Sequence, residues 1–153
     1  MKPVLWAALA AVALAAPTVL SAETQPSDVR RNAPTVALTI TGRHAPARFR
    51  VEVARTSAEQ ELGLMYRTSM PASHGMIFPM DPPRPASFWM KNTFIPLDLV
   101  FIRPDRTISS IAANAPTRSL ATIDSTEPVM AVLELNGGAA AKAGLRSGDR
   151  VRW

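Results

Sequence analysis

Hydrophobic and polar positions along this chain fall into blocks of different period, and each block predicts a different element. The first is an almost unbroken apolar run, Val4 to Leu20, preceded by Met1-Lys2-Pro3 and followed by the small residues Ser21-Ala22. A single basic residue before an apolar core, with small residues after it, is the pattern of a secretory signal. Cutting after Ala22 puts Leu20 at the −3 position, whereas cutting after Ala15 satisfies the A-x-A rule through Ala13 and Ala15. An uncleaved anchor is the alternative, because the run approaches the roughly 20 residues that span a bilayer. Glu23 to Pro34 is mostly polar, with Pro26 and Pro34, and reads as a tether. The expected organisation is therefore a signal peptide at 1–22, a flexible tether at 23–35 and one domain at 36–153.

Period-2 alternation takes over at Val36. Val36, Leu38 and Ile40 alternate with Ala37, Thr39 and Thr41; after a turn at Gly42 to Ala45, Phe49, Val51 and Val53 alternate with Arg48, Arg50 and Glu52. Both runs predict half-buried strands, joined as a hairpin. Thr56-Ser57-Ala58-Glu59 is a capping-box pattern, and Ala58, Leu62 and Met65 follow at helical spacing, which predicts a short helix ending near Tyr66. Further strands are expected at Gly75 to Phe78, stopped by Pro79, at Ala86 to Met90, at Leu97 to Ile102, at Thr107 to Ala112, at Val129 to Leu135 and at Arg150 to Trp153. Ala139 to Leu145 has room for one or two helical turns, with Gly144 as a left-handed C-cap. Asn114 to Pro128 reads as irregular. With roughly seven short strands and no regular strand–helix alternation, the expected fold class is α+β, mainly antiparallel β. Its expected form is a compact sheet or barrel-like domain with one or two short helices.

Composition narrows the chemistry. A chain of 153 residues fits one domain, and it contains no cysteine. Thiol nucleophiles, zinc–thiolate sites and iron–sulfur clusters are thereby excluded. The 17 basic residues, less Lys2 of the signal, outnumber the 12 acidic ones. The excess is mostly scattered arginine, including Arg48, Arg50, Arg150 and Arg152, which reads as a solvated basic surface. An exported protein with no recognition motif is not expected to bind nucleic acid. No later stretch is long and apolar enough to span a bilayer, so any membrane link would run through an uncleaved signal.

Several segments, in order and at their spacing, resemble the DUF192 family of small prokaryotic domains. They are Glu61-Leu62-Gly63-Leu64-Met65-Tyr66-Arg67, Gly75-Met76-Ile77-Phe78, Ser87-Phe88-Trp89-Met90-Lys91-Asn92-Thr93, Ile95-Pro96-Leu97-Asp98, Val132-Leu133-Glu134-Leu135 and Gly144 to Val151. The resemblance spans about Phe49 to Val151. It implies a compact, largely antiparallel β domain with a short helix, often behind a signal sequence, and no established activity. The chain departs from the family's pattern at His74 and carries extra methionines at Met70 and Met80.

Candidate chemistry concentrates between Phe88 and Asp98. If Phe88 and Met90 face a core, Trp89 and Lys91 face outward or into a cleft. Trp89, Lys91, Asn92, Thr93 and Asp98 then make a candidate binding site for a small polar ligand such as a saccharide, with an aromatic plate beside polar groups. The plain alternative is that Asn92 and Asp98 bond loop backbone and Lys91 is a surface cation. Glu134 points opposite to Leu133 and Leu135 and is expected to meet Lys91 or an arginine across the sheet. Paired with Asp98 it would offer acid and base for a hydrolase. A third alternative is docking on another envelope protein through the basic face.

Met65, Met70, Met76, Met80 and Met90 around His74 suggest a soft metal site, but methionine more often fills core gaps. No metal or cofactor is assigned. The chain has no G-x-S-x-G elbow, Walker loop, H-E-x-x-H or dinucleotide fingerprint. The expected localisation is periplasmic or secreted.

Overall fold

A computed structural model of the chain describes residues 33–153. The signal, its cleavage point and most of the tether lie outside the described residues. Nine strands and two short helices follow in order: β1 (Thr35–Thr41), β2 (Ala47–Val53), α1 (Ser57–Leu62), β3 (His74–Arg84), β4 (Ser87–Phe88), β5 (Leu97–Ile102), β6 (Ile108–Ala115), β7 (Ile123–Asp124), β8 (Val129–Asn136), α2 (Ala139–Lys142) and β9 (Arg150–Arg152). The expected class, α+β with a mainly antiparallel sheet, is the observed one.

Seven strands form one sheet in the order β6-β5-β8-β3-β2-β1-β9, and β4 pairs with β7 in a small second ladder. Every neighbouring pair is antiparallel except β2 and β3. A parallel pair requires a crossover, and α1 with the loop after it supplies one. The large sheet curls until its edges meet at one end. There Thr107 bridges to Arg150. Ile108 N donates to Asp149 O at 2.8 Å, and Val151 N donates to Arg106 O at 2.8 Å.

The curl creates two cores from one sheet. Leu38, Ile40, Val51, Ile77, Val100, Leu133 and Val151 fill its inside. Met76, Phe78, Met80, Leu99, Phe101 and Val132 form the outer core, under the segments that carry Leu64, Ala86 and Met90. Consecutive residues such as Leu133 and Val132 therefore serve opposite cores, as strand pleating demands. All six residues of β5 are buried.

The predicted capping box is present: Glu59 N donates to Thr56 Oγ1, and Thr56 N donates to Glu59 Oε2. The helix stops earlier than Tyr66, because Gly63 turns out of it at φ 44°. A positive φ costs glycine little. β3 also differs from expectation, since it runs through Pro79 to Arg84. Ile77 O accepts from Ala54 N on the β2 side. Two residues later Pro79 faces the same way, beyond the last β2 pairing at Val53. Its missing N–H leaves no ladder bond unmade there, and its carbonyl accepts from Gln60 Nε2 at 2.9 Å. The Asn114–Pro128 stretch, expected to be irregular, contains the short strand β7. Gly144 has φ 67°, as a residue following a helix commonly does.

Candidate functional site

Two loops rise over the outer core and leave a cleft of about 650 Å³ between them. One wall is the end of α1 with residues 62–66; the other runs from Arg84 to Thr93, and Phe78, Met80 and Glu134 lie at its floor. Its volume falls within the range of small-molecule sites.

Tyr66 and Asn92 tie the two walls together. Tyr66 N donates to Asn92 O at 2.8 Å. Asn92 Nδ2 donates to the Tyr66 hydroxyl at 2.9 Å. Both residues have positive φ, 63° and 54°, which asparagine adopts readily and tyrosine rarely. Thr93 secures the same loop: its N donates to Met90 O, and its hydroxyl donates to Lys91 O. The Tyr66 ring meets Phe94 edge-on at 6.1 Å.

Alternation places the next residues as the sequence suggested. Met90 is fully buried, Phe88 packs against the outer core, and Trp89 is 47% exposed. The Lys91 ammonium rests 5.0 Å from the centre of the Trp89 ring, a cation–π arrangement. Among the described residues neither Lys91 nor Arg84 has a carboxylate partner, since the salt bridges there are Arg67–Glu52 and Arg103–Glu127.

Glu134 is the unusual member. It sits on β8 opposite Met76 of β3 and Leu99 of β5, on the outer-core face of the sheet. It is only 5% exposed, yet its carboxyl has no hydrogen-bond partner among the described residues, and it lines the cleft. Burial pushes its pKa up to about 8, against a smaller downward pull from Arg67. Arg67, on the loop after α1 and not on a neighbouring strand, supplies that pull, but it is already engaged. Its Nη1 and Nη2 donate to the two carboxylate oxygens of Glu52 at 2.6 and 2.7 Å. Glu52 and Glu134 flank Met76 in one row across three strands, so their backbones are about 10 Å apart. The guanidinium bonds one carboxylate and reaches the other only through its field.

Asp98 does not belong to the site. Its register partner on β8 is Leu135, while Glu134 pairs with Leu99. Leu135 faces the inside of the curl and Leu99 the outside, so the two carboxyl groups lie on opposite faces of the sheet. Asp98 is fully buried. Its Oδ1 accepts from Asn114 N at 2.8 Å and Gly138 N at 3.0 Å, and its Oδ2 from Ala140 N at 2.8 Å. It anchors the end of β6 and the turn into α2. The acid–base pair expected of Asp98 and Glu134 is therefore not formed.

The other expected site residues, Trp89, Lys91, Asn92, Thr93 and Glu134, all line the cleft. Sequence reasoning missed the Arg67–Glu52 pair. The alternation put Glu52 on an outward face, where it is 9% exposed beneath Arg67. It also missed the apolar lining contributed by Leu62, Leu64 and Phe78. The methionines divide as their usual packing role predicts: Met76, Met80 and Met90 are buried in the outer core, and Met70 packs against it.

The model of one family, described as "Uncharacterized ACR", matches residues 37–153. The chain belongs to the DUF192 family. Two solved structures are similar to this DUF192 chain. A protein of unknown function from Novosphingobium aromaticivorans DSM 12444 is 49% identical, with 78% of this chain and 85% of that chain covered and a TM-score of 0.76. A Sinorhizobium meliloti 1021 protein, provisionally described as a transcription regulator, is 42% identical, with 78% of this chain and 94% of that chain covered and a TM-score of 0.76. No curated protein matches the chain.

Proposed function

We propose that this DUF192 domain is a small-ligand-binding module that works outside the cytoplasm, in the periplasm or as a secreted protein. Export rests on the first 22 residues, with one lysine, an apolar run and small residues after it. Binding rests above all on Glu134, a carboxyl 5% exposed and without a partner at the floor of a cleft of about 650 Å³. The Glu134 oxygens are not sealed from solvent, so a ligand in the cleft can reach them and supply the hydrogen bond that no side chain among the described residues makes. Turnover by Asp98 and Glu134 has no support in the geometry, because the sheet separates them.

The regulator description of the Sinorhizobium meliloti relative is not carried over. The helices described here span six and four residues, too short for a recognition helix in a major groove.

A second role, docking on an acidic envelope partner, is favoured by one observation. Arg48 and Arg152 both pair with Thr39, Arg50 pairs with Ala37 and Arg150 with Thr41. The register thus gathers the four arginines onto one solvent face of β2, β1 and β9.

A thermal-shift screen of the purified protein against saccharides, cell-envelope fragments, organic acids, amines and metal ions tests the binding role. A ligand at about 100 times its Kd stabilises by about 2.7 kcal/mol. At least one class should raise the Tm, and Glu134→Gln should reduce that rise. A flat screen across every class would refute the proposal.

A further inference from the structure

Several polar side chains of the cleft are already engaged, and this constrains what it holds. Gln60 Nε2 donates to Ala54 O and Pro79 O. Asn92 Nδ2 is bonded to Tyr66, and the Thr93 hydroxyl to Lys91 O. A saccharide presents a hydroxyl on nearly every carbon, and the amide donors of Gln60 and the Thr93 hydroxyl proton are already spent on backbone carbonyls. Beside the Ser87 hydroxyl there remains an apolar channel between Leu62, Phe78, Met80 and Phe88, with one carboxyl at its floor and charged groups near its lip. Those groups are Lys91 and Arg84, without carboxylate partners among the described residues, and Glu61. Cationic groups therefore outnumber anionic ones at the lip by two to one.

We infer that the cleft takes a small organic acid with a flat apolar body, its carboxylate at Lys91 beside Trp89 and a hydrogen-bonding group at its far end reaching Glu134. The inference rests on the binding role proposed above and specifies the ligand class. The flat body fits between aromatic and thioether side chains, which favour offset or edge contacts. Lys91 is held in place over Trp89, so little ordering is needed to meet an anion. With its raised pKa, near 8, Glu134 is largely protonated at neutral pH. It then donates a hydrogen bond and adds no negative charge to repel the acid. A cationic amine would instead ionise Glu134 and face Lys91 and Arg84.

Four probes separate these possibilities by calorimetric titration at pH 7: 4-hydroxybenzoate, its methyl ester, 4-hydroxybenzylamine and glucose. The first three share one ring and one hydroxyl and carry, opposite the hydroxyl, an anionic carboxylate, a neutral ester and a cationic aminomethyl group. The acid should bind at least 10-fold more tightly than the ester and the amine. Lys91→Met should bring the acid down to the level of the ester, while Glu134→Gln should weaken acid and ester by the same factor. Tightest binding by the amine, or binding of glucose alone, would overturn the inference and leave the binding role standing. Failure of all four probes would also overturn it. The broader screen above then decides whether the binding role falls with it.

Discussion

Replacing Glu134 with glutamine is expected to flatten the dependence of stability on pH between about pH 5 and 8. The wild-type carboxyl has an ordinary value of 4.5 and is raised by burial to about 8 in the folded protein. Between those values the native state holds a proton that the unfolded chain has released. Stability therefore falls as pH rises. The contribution is fully present below pH 4.5 and is lost as pH climbs through 8. A shift of this size corresponds to about 5 kcal/mol at most, at about 1.4 kcal/mol for each pH unit. Glutamine keeps the shape of the protonated acid and has no proton to lose. Urea unfolding across this range should show the two proteins closest near pH 5, with Glu134→Gln increasingly the more stable towards pH 8. Parallel curves would mean that the side chain is solvated.

Asp98→Asn is expected to be the more damaging change at every neutral pH, for an unrelated reason. The carboxylate accepts from three backbone N–H groups on two separate segments, at Asn114, Gly138 and Ala140. An amide of the same size turns one acceptor oxygen into a donor facing other donors, and it removes the charge. Hydrogen bonds to a charged group contribute about 1.5–3 kcal/mol each, so a loss on the order of 4 kcal/mol is expected in urea unfolding. The folded fraction should bind a cleft ligand as the wild type does, because Asp98 faces the inner core. A loss under about 1 kcal/mol, or a defect in ligand binding matching that of Glu134→Gln, would contradict this assignment.

These two carboxylates show what the sequence made legible. Both lie in apolar strands, and pairing them looked reasonable. Parity within β8 gave the direction of Glu134 relative to Leu133 and Leu135 correctly. No such internal reference exists for Asp98, because β5 is buried on both faces and its apolar pattern does not alternate. Its face follows only from its register against β8, which is a long-range property. The Phe88–Lys91 alternation was readable for the opposite reason: one of its faces is core and the other is cleft. Glu52 misled because a loop residue, Arg67, covers a sheet face that alternation alone leaves open. Pro79 misled because the rule that proline stops a strand applies where a neighbouring strand needs its N–H, and β2 ends before that point. The depth of the cleft came from the packing of two loops, which no local period encodes.

The most direct measurement is a ¹³C NMR titration of the Glu134 carboxyl, in the free protein and in the presence of a ligand found by the screen. The result expected is a midpoint near 8 for the free protein, displaced when the ligand is added. A midpoint near 4.5 that the ligand leaves unmoved would contradict the placing of this carboxyl, unpartnered, at the floor of a binding cleft.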